Sequence, residues 1–173
     1  MTKSLTTLLS EAEVQARVDA LADAIAPRID DETVAMCVLT GGLWFAADLM
    51  RALARRGLHP LFDALWLSSY ADERASSGQV ALRSPPQRPV DGRRVLLIDD
   101  VLDSGLSVAE ARRLMLEAGA SEVLVAVFAS KPWPGRDVAV DFVAWDAPGR
   151  FLVGYGMDDA GRYRGLPEVG AAD

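Results

Sequence analysis

Three short apolar runs, Val34–Leu39, Val95–Ile98 and Val123–Phe128, break off at turn-like or charged residues, and the first two lead into segments of helical period. Val34–Leu39 carries no polar residue, which is the pattern of a strand buried on both faces rather than one wetted on alternate positions. Such a strand needs cover on both sides, and helices alternating with strands supply it. The expected fold is therefore α/β, with a central, mostly parallel sheet flanked by helices. Sheets of this kind bind ligands at the carboxyl ends of their strands. Thr40-Gly41-Gly42, Asp99-Asp100 and Lys131 each follow a predicted strand, so they should converge on one edge.

The remaining elements follow from periodicity and punctuation. Val14, Val18, Leu21 and Ile25 predict a helix over Leu9–Ile25, ended near Pro27. A second helix is expected over Leu43–Arg56, stopped by Gly57. Leu61–Tyr70 reads as a strand, Ala71–Gly78 as a mobile loop, and Gln79–Arg83 as a strand returning from it. The proline-bearing Ser84–Arg93 reads as a loop. Ser107 and Glu110 have capping-box spacing, which predicts a helix running from Ser107 to a stop at Gly119. Lys131–Arg136 is a proline-rich loop, Asp141–Trp145 and Phe151–Tyr155 are short strands, and the tail from Asp158 is expected to be irregular.

Composition removes several chemistries. The chain has 173 residues, half of them hydrophobic, which suits one domain. A net charge of −7 repels nucleic acid and anionic membrane at long range, so neither is an expected partner. Cys37 is the sole cysteine and lies in an apolar run, so disulfides are excluded and a buried thiol is expected; a reducing, cytoplasmic location fits. His59 is the sole histidine and reads as a turn residue, which leaves almost no material for a catalytic triad or a histidine metal site. The polar start, Met1–Ser10, does not read as a signal peptide, and no apolar run approaches the ~18 residues of a membrane span.

Val95–Ser107 carries the most chemistry. An apolar strand emerges into Asp99 and Asp100, and Asp103, Ser104, Gly105, Leu106 and Ser107 then lead into a helix. Glycine lets the backbone approach a ligand closely. The unpaired N–H groups of a first helical turn, with the helix dipole behind them, favour an anion. With two serine hydroxyls this makes a cradle for one phosphate monoester. The adjacent carboxylates can accept hydrogen bonds from a sugar diol or hold Mg²⁺.

This segment resembles the phosphoribosyl pyrophosphate motif of type I phosphoribosyltransferases: an apolar strand, two acids, two apolar residues, then D-[ST]-G-x-[ST]. Four further stretches, in order, are similar to the hypoxanthine-guanine branch of that family: Val38–Leu49, Leu65–Val80, Lys131-Pro132 with Asp141–Asp159, and Arg162–Gly170. The resemblance implies one domain over residues 1–173. Its core would span about 34–130, and a small hood would come from about 1–30 and 131–173. It implies transfer of a 5-phosphoribosyl group to a 6-oxopurine in purine salvage. Asp99 and Asp100 would bind the ribose hydroxyls directly or through Mg²⁺, and Ser104, Gly105, Leu106 and Ser107 would hold the 5-phosphate. Asp103 would be general base or acid at the purine N7. Thr40 and Gly41 would meet pyrophosphate through backbone N–H groups, and Arg164 would pair with it. Asp158 would hold a second Mg²⁺. Lys131 would donate to the purine O6, Phe151 would stack on the base with Arg150 beside it, and Leu152 would meet the base edge. Ser69 and Tyr70 would close over the reacting centre. Relatives of this kind form dimers or tetramers, so a homo-oligomer is expected.

The sequence departs from the family pattern at four of these positions. Thr40 and Leu106 stand where lysine is frequent, Asp99 where glutamate is frequent, and Arg150 where lysine is usual. Arg150 adds positive charge that would suit xanthine as an alternative base. A regulator that keeps the phosphoribosyl pyrophosphate cradle on the same fold, and a phosphoacceptor receiver domain with its own acidic pair, are the competing readings. The negative charge argues against the first, and the short spacing from Asp100 to Lys131 argues against the second. Trp44 and Trp66 read as core.

Overall fold

The computed structural model describes residues 5–72 and 75–172, with side chains left aside over 69–80. The elements run β1 (Leu5–Leu9), α1 (Glu11–Ile25), β2 (Val34–Leu39), α2 (Leu43–Ala54), β3 (Leu61–Asp72), β4 (Ala75–Ser84), β5 (Arg94–Leu102), α3 (Leu106–Glu117), β6 (Glu122–Ser130), β7 (Phe142–Asp146), β8 (Leu152–Val153) and β9 (Val169–Ala172). Six strands form the main sheet in the order β4-β3-β2-β5-β6-β7. All pairs are parallel except β3–β4. A second, antiparallel sheet has the order β1-β9-β8.

The apolar runs are continuous because each strand feeds two cores. On β2, Ala35 and Cys37 face the α1 and α2 side, whereas Val34, Met36 and Val38 face the α3 side. On β5, Leu96 and Ile98 go with the first group, and Val95 and Leu97 with the second. The chain leaves β2 toward β3 on one side and β5 toward β6 on the other. The crevice where ligands bind in open α/β sheets therefore opens above the carboxyl ends of β2 and β5.

Several expectations need correction. The polar-looking start contains β1, which pairs with β9 of the supposedly irregular tail, Leu5 opposite Ala172. Each strand is short and has its partner at the other end of the chain, so neither carries a local signal. The first helix starts after Ser10, which accepts from Glu13 N–H in a full capping box. The loop expected at Ala71–Gly78 is largely ladder, since β3 extends to Asp72 and β4 begins at Ala75. Glu73 and Arg74 lie outside the described residues. Trp66 is 49% exposed rather than core. Cys37 is buried, and burial pushes its thiol up to about 12, which removes it as a nucleophile at neutral pH. His59 is an exposed loop residue. Among the described residues no helix is long and apolar enough to cross a membrane.

Candidate active site

β5 carries its carboxylates while still hydrogen-bonded in the sheet. Asp99 and Asp100 are both buried. Asp100 N–H donates to Asp99 Oδ1 at 3.0 Å, and Val101 N–H donates to Asp100 Oδ1 at 2.8 Å. Burial, then the charge of Asp100, raises the Asp99 carboxyl well above the usual carboxylate range. Burial also raises Asp100, against the lowering pull of its hydrogen bonds and of Arg164. Two neighbouring buried acids that resist ionisation form a donor set short of positive charge.

Gly41 lies directly on this pair. A Cβ there would sit 2.0 Å from Asp100 Oδ2, so only glycine lets the β2 turn approach. The Leu39–Thr40 peptide bond is cis. Gly156 backs Gly41 in turn, because its own Cβ would be 2.1 Å from Gly41 O.

α3 does not begin at Ser107. Gly105, at φ +84°, is the N-cap and turns the chain into a helix that starts at Leu106. The capping box expected from Ser107 and Glu110 is absent, and Glu110 instead accepts from Arg113. Leu106 N–H makes a 3.4 Å contact with Ser104 Oγ, and no side chain caps the helix. An uncapped helix start behind a left-handed glycine leaves first-turn amides for an anion.

The register of β5 on β6 runs to Leu102 opposite Ser130, which delivers the next residues, Asp103 and Lys131, side by side. Lys131 Nζ lies 2.9 Å from Asp103 Oδ1 and 3.0 Å from Oδ2, with its hydrogen bond to Oδ2. Asp103 Oδ1 is buried, with Lys131 Nζ as its close neighbour. On the other wall Arg164 Nη2 pairs with Asp158 Oδ1 at 2.7 Å, and Nη1 donates to Gly156 O at 2.6 Å.

Two depressions meet here. A cleft of about 410 Å³ is lined by Gly41, Asp99, Asp100, the Asp103–Ser107 loop, Asp158 and Arg164. A smaller one of about 140 Å³ is lined by Lys131, Phe151, Leu152 and Met157. They share Asp100, Val101, Asp103 and Asp158. Phe151 is 53% exposed, an aromatic face open toward solvent. Thr40 and Arg150 are not among the wall residues of either lobe. Ser69 and Tyr70 lie on β3, with side chains outside the described set.

Sequence reasoning missed three supports of this site. They are Gly156 behind Gly41, Tyr155 whose hydroxyl donates to Asp48 on α2 at 3.0 Å, and Arg136 beneath the loops. Each acts through a partner distant in sequence, and only the G-Y-G spelling at Gly154–Gly156 hinted at a special backbone. Among the described residues no three His, Cys, Asp or Glu side chains gather closely enough to hold a metal alone. The carboxylates on the walls are Asp99, Asp100, Asp103 and Asp158, and Asp158 pairs with Arg164 through Oδ1 and accepts from Gly161 N–H through Oδ2 at 2.6 Å.

Comparison with known proteins agrees with this geometry. A phosphoribosyl transferase domain matches residues 11–159. The hypoxanthine-guanine phosphoribosyltransferase of Bacillus subtilis is 36% identical over 166 residues, covering 94% of this chain and 90% of that protein. The enzyme of the same name from Aquifex aeolicus is 34% identical over 170 residues, covering 96% and 94%. The crystal structure of a Bacillus anthracis hypoxanthine-guanine phosphoribosyltransferase, with a HEPES molecule in its active site, superposes with a TM-score of 0.88 at 29% identity, covering 99% of this chain and all of that one.

Proposed function

The chain belongs to the phosphoribosyltransferases, in their hypoxanthine-guanine branch, and from that membership we propose how its own residues move a 5-phosphoribosyl group from phosphoribosyl pyrophosphate to a 6-oxopurine. The carrying observation is that the two lobes meet at Asp100 and Asp103, so a sugar in one and a base in the other share a wall.

The 5-phosphate sits on the Ser104–Ser107 amides and hydroxyls at the start of α3. Asp99 and Asp100 accept hydrogen bonds from the ribose 2- and 3-hydroxyls, which relieves part of the mutual repulsion that burial imposes on them. Pyrophosphate faces the backbone of Thr40 and Gly41, with the Arg164 guanidinium as its fork. Phe151 stacks on the base and the Leu152 backbone meets its edge. Lys131 leaves Asp103 to donate to O6, with Arg150 as neighbouring positive charge. Asp103, freed of its lysine, accepts the proton released at N7 as a base nitrogen attacks the sugar carbon and pyrophosphate leaves with the bonding pair. Ser69 and Tyr70 close over the centre and exclude water, which would otherwise trap the cation-like sugar.

The donor set fits Mg²⁺. That ion keeps several waters and substrate oxygens and asks the protein for only one or two carboxylates. Asp99 with Asp100, and Asp158 once Arg164 turns to pyrophosphate, would each hold one ion. Mg²⁺ when bound neutralises charge on the leaving group. The wall carries Asp99, Asp100, Asp103 and Asp158 against Arg164 and Lys131, so a polyanionic donor needs added positive charge. A cytoplasmic homo-oligomer, dimer or tetramer, is the assembly this reading carries.

The test supplies phosphoribosyl pyrophosphate and Mg²⁺ with hypoxanthine, guanine, xanthine or adenine, and detects the nucleotide formed. Hypoxanthine and guanine should react, adenine should not, and excess chelator should stop the reaction. Asp103→Asn should lose ~10²–10⁴-fold in turnover while donor binding persists. No nucleotide from any base would sink the assignment, and an Asp103→Asn variant as fast as wild type would remove Asp103 from the proton-transfer role.

A further inference from the structure

We infer that Arg136 is a positioning residue that fixes Asp103 and Lys131 relative to each other. The inference rests on the roles given to those two residues above. Arg136 lies half-buried in the loop between β6 and β7. Three carbonyl oxygens converge on its Nη1: Lys131 O at 2.8 Å, and Leu102 O and Asp103 O at 3.1 Å each. Its Nη2 donates to Ser130 Oγ at 3.0 Å. One guanidinium thus holds the chain as it leaves β5 and again as it leaves β6.

The acceptors are the peptide groups that set where the two working side chains point. The Asp103 and Lys131 carbonyls belong to those residues, and the Leu102 carbonyl begins the peptide whose nitrogen is that of Asp103. Leu102 O also accepts from Lys131 N–H at 3.0 Å, so both loops share one hub. Rotation of either peptide plane would swing a Cα–Cβ bond and open the Lys131–Asp103 contact. Among the described residues Arg136 makes no ion pair with a carboxylate, and its side-chain hydrogen bonds go to the two loops and Ser130. Its stem passes under Gly105, where a Cβ would meet Arg136 Cδ at 3.5 Å and Val138 Cγ2 at 2.8 Å. The two arms of the guanidinium reach the carbonyls and Ser130 Oγ at the same time, and an ammonium, a single nitrogen on a flexible stem, does not reproduce both.

Arg136 hydrogen-bonds to no atom of Ser104–Ser107 and reaches that loop only through the Asp103 carbonyl and its stem under Gly105, which Arg136→Met retains, so the donor's phosphate seat should change less than the base side. The experiment compares Arg136→Met, which keeps the stem and removes the donors, with Arg136→Lys, which keeps the charge. Steady-state constants are measured separately for the base and for phosphoribosyl pyrophosphate, with thermal midpoints alongside. A displacement of about 1 Å at the reacting groups costs ~10²-fold. Arg136→Met should lose about that factor in kcat/KM for the base, with the donor KM held within about threefold. Arg136→Lys should lose less, yet measurably, at a thermal midpoint near wild type; it carries the test if Arg136→Met folds poorly. A folded variant with wild-type constants for the base, or one that loses base and donor terms in equal proportion, overturns the inference. If wild type transfers and Asp103→Asn does not, an inert Arg136 removes only this step. If wild type transfers nothing, the functional reading itself falls.

Discussion

Gly41→Ala tests whether the β2 turn and the β5 carboxylates form one unit. The backbone at Gly41 is not left-handed, so alanine is conformationally acceptable and the whole effect comes from contact. The new Cβ would lie 2.0 Å from Asp100 Oδ2, 2.6 Å from Cγ and 2.8 Å from Oδ1. Ordinary contact begins at 3.4 Å, so Oδ2 must retreat by about 1.4 Å. The carboxylate cannot swing freely, because it is buried and Oδ1 accepts from Val101 N–H. Overpacking of this kind costs ~1–3 kcal/mol. A hydrogen bond to a charged acceptor is worth ~1.5–3 kcal/mol. One rotation relieves the overlap by breaking the bond, so the costs overlap and a net loss of about 2 kcal/mol is expected. For a chain of this length that lowers the thermal midpoint by ~4–8 °C.

Activity should fall further than stability. With Asp100 in the ribose-binding role proposed above, its displacement by more than 1 Å should cost ~10²-fold in kcat/KM for phosphoribosyl pyrophosphate. Gly57→Ala is the matched control. Gly57 follows α2 at φ +78° with nothing within 4 Å of its Cβ position, so alanine pays only the left-handed backbone cost of ~1–2 kcal/mol. Melting curves and donor-dependent kinetics on both variants separate the effects. If the two melt alike and both keep wild-type turnover, the contact between Gly41 and Asp100 has no functional weight and the reasoning fails.

Asp99→Asn should stabilise the ligand-free protein at neutral pH by ~0.5–2 kcal/mol while impairing donor use. Because the folded Asp99 pKa is raised, its share of stability is intact below the ordinary value near ~4 and is lost as pH rises through the folded value. The advantage of the variant should therefore shrink as melts are taken to lower pH, and an advantage that grows instead would reverse the sign of the argument. Tyr155→Phe removes the donor to Asp48, which keeps Arg51 at 2.8 Å, so a loss of ~1–2 kcal/mol is expected by chemical denaturation. An unchanged midpoint would mean that this bond does not hold the Gly154–Met157 turn.

What could be read from the letters divides by sequence distance. Val95–Ser107 holds strand, acids, loop and helix start within one stretch, so its chemistry is legible in the sequence. The same local reasoning misplaced the helix start, because the spacing of Ser107 and Glu110 suits a capping box, while Gly105 in the left-handed region starts the helix at Leu106 and Arg113 claims Glu110. β1 and β9 were illegible for the opposite reason. Val169–Ala172 is V-G-A-A, with almost no strand preference of its own, and it is ordered by Leu5–Leu9 from the far end of the chain. Gly156 against Gly41, and Arg136 against Leu102, Asp103 and Lys131, are likewise tertiary facts.

The Asp103–Lys131 pair lies between these cases. The two residues are 28 apart in sequence, yet their meeting follows from a local rule applied twice. Each residue comes directly after a strand, and each strand is apolar on both faces. A shift of β6 by one residue would exchange its two buried faces, moving Phe128, Ala126 and Leu124 from the α1 and α2 core to the α3 side. The volumes forbid that exchange, since Phe128 packs against Phe45 and Tyr155 with ring centroids 5.7 and 4.7 Å apart. The aromatic cluster beneath the sheet therefore sets the register that places Lys131 beside Asp103. Substitutions at Phe128 should disturb turnover through that register, although Phe128 lines neither lobe of the site.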